Sequence, residues 1–231
     1  MIDVDKITPQ ELAGMIDHTF LKAFGGLEPI EKLCAEAREY GFAMVAVNPA
    51  EVERCAELLK GSKTRVGAAV GFPLGQMTSE AKAFEIRDAI AKGAGEVDMV
   101  QNIRALQSGN DALVLAELEY LAKTCREHGV ISKVILETCY LTDEQKVRTC
   151  ELAVKAGVDF VKTSTGFGTG GATAADIALM RRTVGPTMGV KAAGGIRTLD
   201  AALDMIRAGA TRIGTSAGVA IVEELKARIA P

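Results

Sequence analysis

The stretch K155-A-G-V-D-F-V-K-T-S-T-G-F-G168 decides the fold. A helix-like segment ends at Gly157, and a short apolar run, Val158, Phe160 and Val161, follows it. Lys162 then stands where the run should be most buried, and glycines at 166, 168, 170 and 171 come next. The first half of this unit recurs along the chain. It is seen in AREYGFAMVAV (37–47), LLKGSKTRVGAAV (58–70), AKGAGEVDMV (91–100), REHGVISKVIL (126–136), RTVGPTMGVKAA (182–193) and IRAGATRIGTS (206–216). Glycine stops a helix because it takes the left-handed cap without a Cβ clash, and basic residues favour the last helical turn. The segments before the glycines are amphipathic; Ile30, Leu33, Cys34 and Ala37 fall on one helical face. Thr8-Pro9-Gln10-Glu11 and Thr142-Asp143-Glu144-Gln145 have the form of capping boxes.

The runs after the glycines are apolar on both parities, as strands covered on both faces are. Helix–strand alternation of this kind implies parallel strands joined by crossover helices. Seven strands are evident, and MIDHTFL (15–21) supplies an eighth at the start. Eight units without a long interruption predict a closed (β/α)8 barrel with a short N-terminal helix. No linker or composition shift divides the chain, so one domain over 1–231 is expected.

The 231 residues are 48% hydrophobic and 25% charged, enough for a sizeable core. A net charge of -3 gives no electrostatic case for nucleic acid or an anionic membrane surface. Five widely spaced cysteines fit a reduced, cytoplasmic chain. The first ten residues are acidic without an apolar core, so no signal peptide is expected. No apolar run reaches the roughly 18 residues of a membrane span.

Several motifs carry little. Gly166 to Gly171 matches G-x-G-x-x-G, but the next strand ends at Lys191 rather than at the acidic residue of a dinucleotide site. Gly214-Thr215-Ser216-Ala217-Gly218 matches a nucleophile elbow, yet both histidines, His18 and His128, precede it. Cys125 and His128 lack a second ligand pair, so no metal is expected. His18 reads as a structural histidine.

Polar residues at the C-terminal strand ends carry more, because those ends form the active face of a barrel. They are Asp17, Asn48, Asp98, Glu137, Lys162 and Lys191. A structural reading pairs the two lysines with Asp98 and Glu137. A chemical reading makes one of them an activated amine. At its ordinary pKa of about 10.4 a lysine is protonated and a poor nucleophile. A second ammonium about 5 Å away costs about 3 kcal/mol at an effective dielectric of 20, roughly two units of depression. Burial acts in the same direction. Such an amine forms a Schiff base with a carbonyl, and Asp98 moves the protons that the steps require. The turns AAGGIR and GTSAG, with Gly194, Gly195, Gly214 and Ser216, suit a phosphate at the end of the seventh and eighth strands. Arg197 adds charge there.

In order and spacing, EVDMV, KVILET, FVKTSTGF, VKAAGGIRT and RIGTSAG resemble deoxyribose-phosphate aldolase over nearly the whole chain. The resemblance implies a barrel enzyme with no metal or organic cofactor. It implies reversible cleavage of 2-deoxy-D-ribose 5-phosphate to D-glyceraldehyde 3-phosphate and acetaldehyde, in deoxynucleoside breakdown. By motif it makes Lys162 the Schiff-base lysine, Lys191 the amine that perturbs it and Asp98 the proton-handling carboxylate. It places Asp17 and Thr19 near the substrate hydroxyls and Lys191. Thr165, Gly166, Gly194, Gly195, Gly214 and Ser216 fall at the phosphate end. The chain departs at Phe167, where some members carry lysine, and at Ala46, where many carry cysteine. The alternatives are a Schiff-base aldolase of another sugar phosphate and a non-catalytic barrel that binds a phosphorylated ligand. The expected partners are a small phosphosugar and acetaldehyde. A homo-oligomer, dimer or tetramer, is expected because barrels of this size often pair through helices.

Overall fold

The computed structural model describes residues 4–230; residues 1–3 and Pro231 of the expected domain lie outside that range. Eight parallel strands close into a barrel in chain order, each paired with its sequence neighbours and the last with the first. They are β1 (Ile16–Thr19), β2 (Met44–Val47), β3 (Arg65–Val70), β4 (Glu96–Val100), β5 (Ile131–Ile135), β6 (Phe160–Lys162), β7 (Gly189–Ala193) and β8 (Arg212–Thr215). This is the (β/α)8 architecture that the glycine-stopped units predict.

A short helix α1 (Pro9–Ala13) closes the bottom and packs on the last helix. The crossover helices are α2 (Glu28–Tyr40), α3 (Val52–Leu58), α4 (Ser79–Ala91), α5 (Ile103–Gln107), α6 (Asp111–Glu127), α7 (Asp143–Ala156), α8 (Ala174–Val184) and α9 (Leu199–Arg207), and α10 (Gly218–Ile229) follows the last strand. Both capping boxes form, at Thr8–Glu11 and Thr142–Gln145. Gly41 and Gly157 cap α2 and α7 in the left-handed conformation, with φ of 70° and 75°. A side chain is strained at such angles, which is why these helices stop at glycine. Among the described residues no helix is long and apolar enough to cross a membrane.

The outward faces of the strands bury Val45, Val66, Val97, Val134, Val161, Val190 and Ile213 under the helices. The inward faces differ, because alternation along each strand sends its polar residues inside. Glu96 and Asp98 share one face of β4, and the register sets Asp98 beside Lys133 and Lys162 beside Lys191. Lower in the barrel the Phe160 ring fills the space a side chain on Gly189 would need, 2.2 Å from its Cβ position. Lys133 and Arg212 lie over that ring, 5.8 and 5.6 Å from its centre. An aromatic ring thus fills the lower interior, beneath the charged side chains.

Candidate active site

The floor of the site is an ion network inside the barrel. Asp98 Oδ2 accepts hydrogen bonds from Lys162 Nζ at 2.8 Å and Lys191 Nζ at 2.7 Å. Its other oxygen accepts from Lys133 Nζ at 2.7 Å. Lys191 also lies 2.5 Å from Asp17 Oδ2. Below these groups Glu96 bridges Lys133 and Arg212, the latter at 2.7 Å, and Arg212 also donates to Asp17. All seven side chains are buried. Four cations therefore face three carboxylates, and full ionisation leaves one uncompensated positive charge in the interior. Arg65, half exposed at the bottom, approaches Glu96 to 3.7 Å and adds to that excess.

A buried network sheds excess charge where doing so costs least. Asp98 is held well below the usual carboxylate range: burial alone would raise it, but Lys133, Lys162 and Lys191 outweigh burial. Asp17 is lowered too, because Lys191, Lys133 and Arg212 together overcome its burial. Lys133 is raised: burial opposes its charge, but Asp98, Glu96 and Asp17 surround it. Lys162 goes the other way. Burial depresses it most, Asp98 opposes, and Lys191 and Lys133 depress it further, to about 8. The sequence argument assigns the depression chiefly to a neighbouring ammonium. In the structure desolvation leads and that ammonium comes after it, since the shared carboxylate screens one amine from the other.

Above the floor lies a cavity of about 330 Å³. Lys162 and Lys191 form its base. Thr19 stands at the end of β1, and Thr165 and Gly166 begin the loop after β6. Gly194, Gly195 and Arg197 come from the turn after β7, and Gly214 and Ser216 from the end of β8. These ten positions, expected from scattered motifs, line one space. Asp17 and Asp98 do not line it; they lie beneath the lysines. The loops are tied together. Thr215 Oγ1 donates to Ile196 O at 2.7 Å, and Ala172 N donates to Gly194 O at 3.1 Å. Gly214 is glycine for a packing reason, since a Cβ there would come within 2.9 Å of Ala193 Cβ and 3.1 Å of Lys191 Cε.

Glu137, the second counterion of the structural reading, does not reach either lysine. It accepts from Thr165 N at 3.2 Å and from the Thr165 hydroxyl, and so holds the start of the loop after β6. Phe167 N donates to Thr165 Oγ1 at 3.0 Å, and its ring meets Phe72 edge to face at 5.4 Å. His18 Nε2 donates to the Glu36 carboxylate at 2.7 Å, and the ring packs on Phe42 outside the cavity. His128 Nδ1 meets the Thr124 carbonyl oxygen at 2.9 Å, within its own helix end. Four positions escape the sequence reading: Glu96, Lys133 and Arg212 in the network, and Lys22 on the cavity wall. Glu96 was signalled by its spacing of two from Asp98, which puts both on one face of β4.

The family profile described as DeoC/LacD family aldolase matches residues 11–224. The chain belongs to this family. The aldolase fold and the amine at the cavity floor agree with that membership. The deoxyribose-phosphate aldolase of Bacteroides thetaiotaomicron is 66% identical over 223 residues, which are 96% of this chain and 94% of that one. The enzyme of the same description from Lysinibacillus sphaericus is 58% identical over 216 residues, 94% of this chain and 96% of its own. Among solved structures, the tetrameric deoxyribose phosphate aldolase of Aeropyrum pernix superposes with a TM-score of 0.90 at 32% identity. That match covers 98% of this aldolase chain and 96% of the other.

Proposed function

We propose that this aldolase reversibly cleaves 2-deoxy-D-ribose 5-phosphate to D-glyceraldehyde 3-phosphate and acetaldehyde through a Schiff base on Lys162. The observation that carries the reading is one buried amine, depressed to about 8, at the floor of a cavity that opens at the C-terminal strand ends. A neutral fraction of that amine exists near neutral pH, whereas an ordinary lysine offers almost none.

The neutral Lys162 amine attacks the aldehyde carbon of the open-chain sugar. Water leaves, and an iminium forms. Rupture of the C2–C3 bond sends its electron pair toward the iminium, giving an enamine with a neutral nitrogen. The C3 hydroxyl gives up its proton and becomes the aldehyde of glyceraldehyde 3-phosphate. C2 then takes a proton, and hydrolysis of the new iminium releases acetaldehyde and restores the amine. Lys191 lines the cavity and keeps Lys162 short of negative charge. Asp98 holds both amines and exchanges protons with the reacting atoms through them or through a water, since its own oxygens do not reach the cavity. Thr19 and Thr165 face the sugar, with Asp17 orienting Lys191 from below. The turns at Gly166, Gly194, Gly195, Gly214 and Ser216 receive the phosphate, with Arg197 as a cation. No step calls for a metal or organic cofactor. Five free cysteines suit a reducing compartment, and the enzyme is assigned to the cytoplasm. A homo-oligomer, dimer or tetramer, is its proposed assembly; light scattering on the purified chain measures it.

The test is acetaldehyde release from a panel of phosphorylated sugars. Deoxyribose 5-phosphate should give the highest kcat/KM. Preference for another sugar phosphate would replace the substrate, and no release with any of them would leave a binding protein.

A further inference from the structure

The cavity wall is electrically one-sided. Its lining contains four cations, Lys22, Lys162, Lys191 and Arg197, and not one aspartate or glutamate, in a chain whose net charge is -3. Lys162 and Lys191 are neutralised from below by Asp98 and Asp17. Lys22 and Arg197 are not: both are exposed at the cavity mouth, and neither pairs with a carboxylate among the described residues. Arg228 finds Asp200, whereas Arg104 and Arg182, also exposed, pair with no carboxylate among the described residues; what sets Lys22 and Arg197 apart is their shared place on the cavity wall. Lys22 Nζ rests 5.7 Å from the centre of the Phe24 ring. An exposed contact of that kind is weaker than a charge-assisted bond to a phosphate oxygen, so a dianion would draw the amine away from the ring.

Topology brings Lys22 to the phosphate end. It lies three residues beyond β1, which pairs with β8 through Asp17↔Gly214 and His18↔Thr215. The loop carrying Lys22 therefore runs beside the turn carrying Ser216, and both border the same space as Arg197. The third wall, at Phe167, brings an apolar ring and no charge.

We infer that Lys22 is a specificity-determining residue that, with Arg197, grips the phosphate of the substrate from the β1 side of the cavity. This rests on the substrate reading above and extends it. A phosphate near pH 7 carries close to two negative charges, and two cations from the loops after β1 and β7 match it, with no carboxylate on the wall of this cavity. Neither cation touches the reacting carbon, so they act on binding of the phosphorylated substrate rather than on Schiff-base chemistry.

The experiment compares wild type with Lys22→Met and Lys22→Arg. Lys22 is exposed, so neither substitution disturbs packing. The KM for deoxyribose 5-phosphate divided by that for unphosphorylated deoxyribose should rise about tenfold in Lys22→Met and return most of the way in Lys22→Arg. Binding of inorganic phosphate, followed by calorimetry in the absence of sugar, should weaken by a similar factor in Lys22→Met. An unchanged ratio together with unchanged phosphate binding overturns the inference. The calorimetric arm separates the two claims: if wild type fails to cleave deoxyribose 5-phosphate, the substrate reading falls, while phosphate binding that depends on Lys22 still upholds the grip.

Discussion

Lys133 and Lys162 stand on adjacent strands of one barrel, both buried, and both donate to Asp98. Their protonation is pushed in opposite directions. The lower layer surrounds Lys133 with Glu96, Asp98 and Asp17 and stays charged. The upper layer gives Lys162 a single carboxylate, shared with Lys191 and Lys133, and opens it to the cavity. Burial is common to both, so burial alone does not make an amine reactive. What differs is the number of carboxylates per amine. Lys82, buried outside the barrel against Glu117 at 2.7 Å with Ser79 on the same carboxylate, is a third case. Burial depresses it as well, but it faces the gap between α4 and α6 and has a carboxylate of its own.

The comparison breaks most sharply at Lys162→Met. Turnover should fall by at least about 10⁴-fold, since the covalent step has no other amine poised for it. The same substitution should stabilise the fold. The folded pKa of about 8 lies below the unfolded value, so the charged amine opposes folding at pH 7. That penalty is on the order of 3 kcal/mol and fades as pH rises from about 8 to about 10.5. Thermal melts at pH 7 and at high pH measure it: the variant should melt higher than wild type, and the advantage should shrink on going alkaline. A lower Tm at pH 7 would mean that Lys162 is a structural ion-pair partner.

Glu96→Gln probes the other layer. It removes a carboxylate that Lys133 and Arg212 share, leaving buried charge short of a partner, at a cost of about 3–5 kcal/mol. It also makes the network more positive, so the acid limb of the kcat/KM profile should move to lower pH. Loss of stability with an unmoved acid limb would show that the two layers are electrically separate.

Lys191→Met carries the smallest effect. Removing that ammonium should raise the apparent pKa of Lys162 by about one unit, because burial remains and is the larger cause. Trapping with acetaldehyde should persist at alkaline pH. A rise of three units would make the neighbouring charge dominant after all.

These layers were unequally legible in the sequence. The barrel was plain because each unit repeats the same local physics, a glycine-stopped helix followed by a run apolar on both parities. Lys162 stood out because it ends its run; Asp98 and Lys191, read there as strand ends, are each the third of five residues in β4 and β7 and point inward from mid-strand. The Coulomb argument then overstated the neighbouring amine, because no sequence pattern reports that Asp98 lies between the two. Lys133 and Arg212 were missed. Lys133 holds the same mid-strand place in ISKVI that Asp98 and Lys191 hold in theirs, but the resemblance gave it no role, and Arg212 opens RIGT at the end away from the active face. Glu137 misled for the converse reason. It follows its strand as a site residue would, but its backbone enters the left-handed region with φ of 56°. Its carboxylate therefore meets Thr165 and not the lysines.

The most direct measurement is borohydride reduction in the presence of acetaldehyde, run on the wild-type chain between about pH 6 and about pH 10, with the modified peptide identified by mass. The carboxylate-poor amine should carry the adduct, so the mass should sit on Lys162. Its rate of formation should climb as pH rises through about 8. An adduct on Lys133 or Lys191, or a midpoint that stays near the ordinary lysine value of about 10.4, would contradict the account.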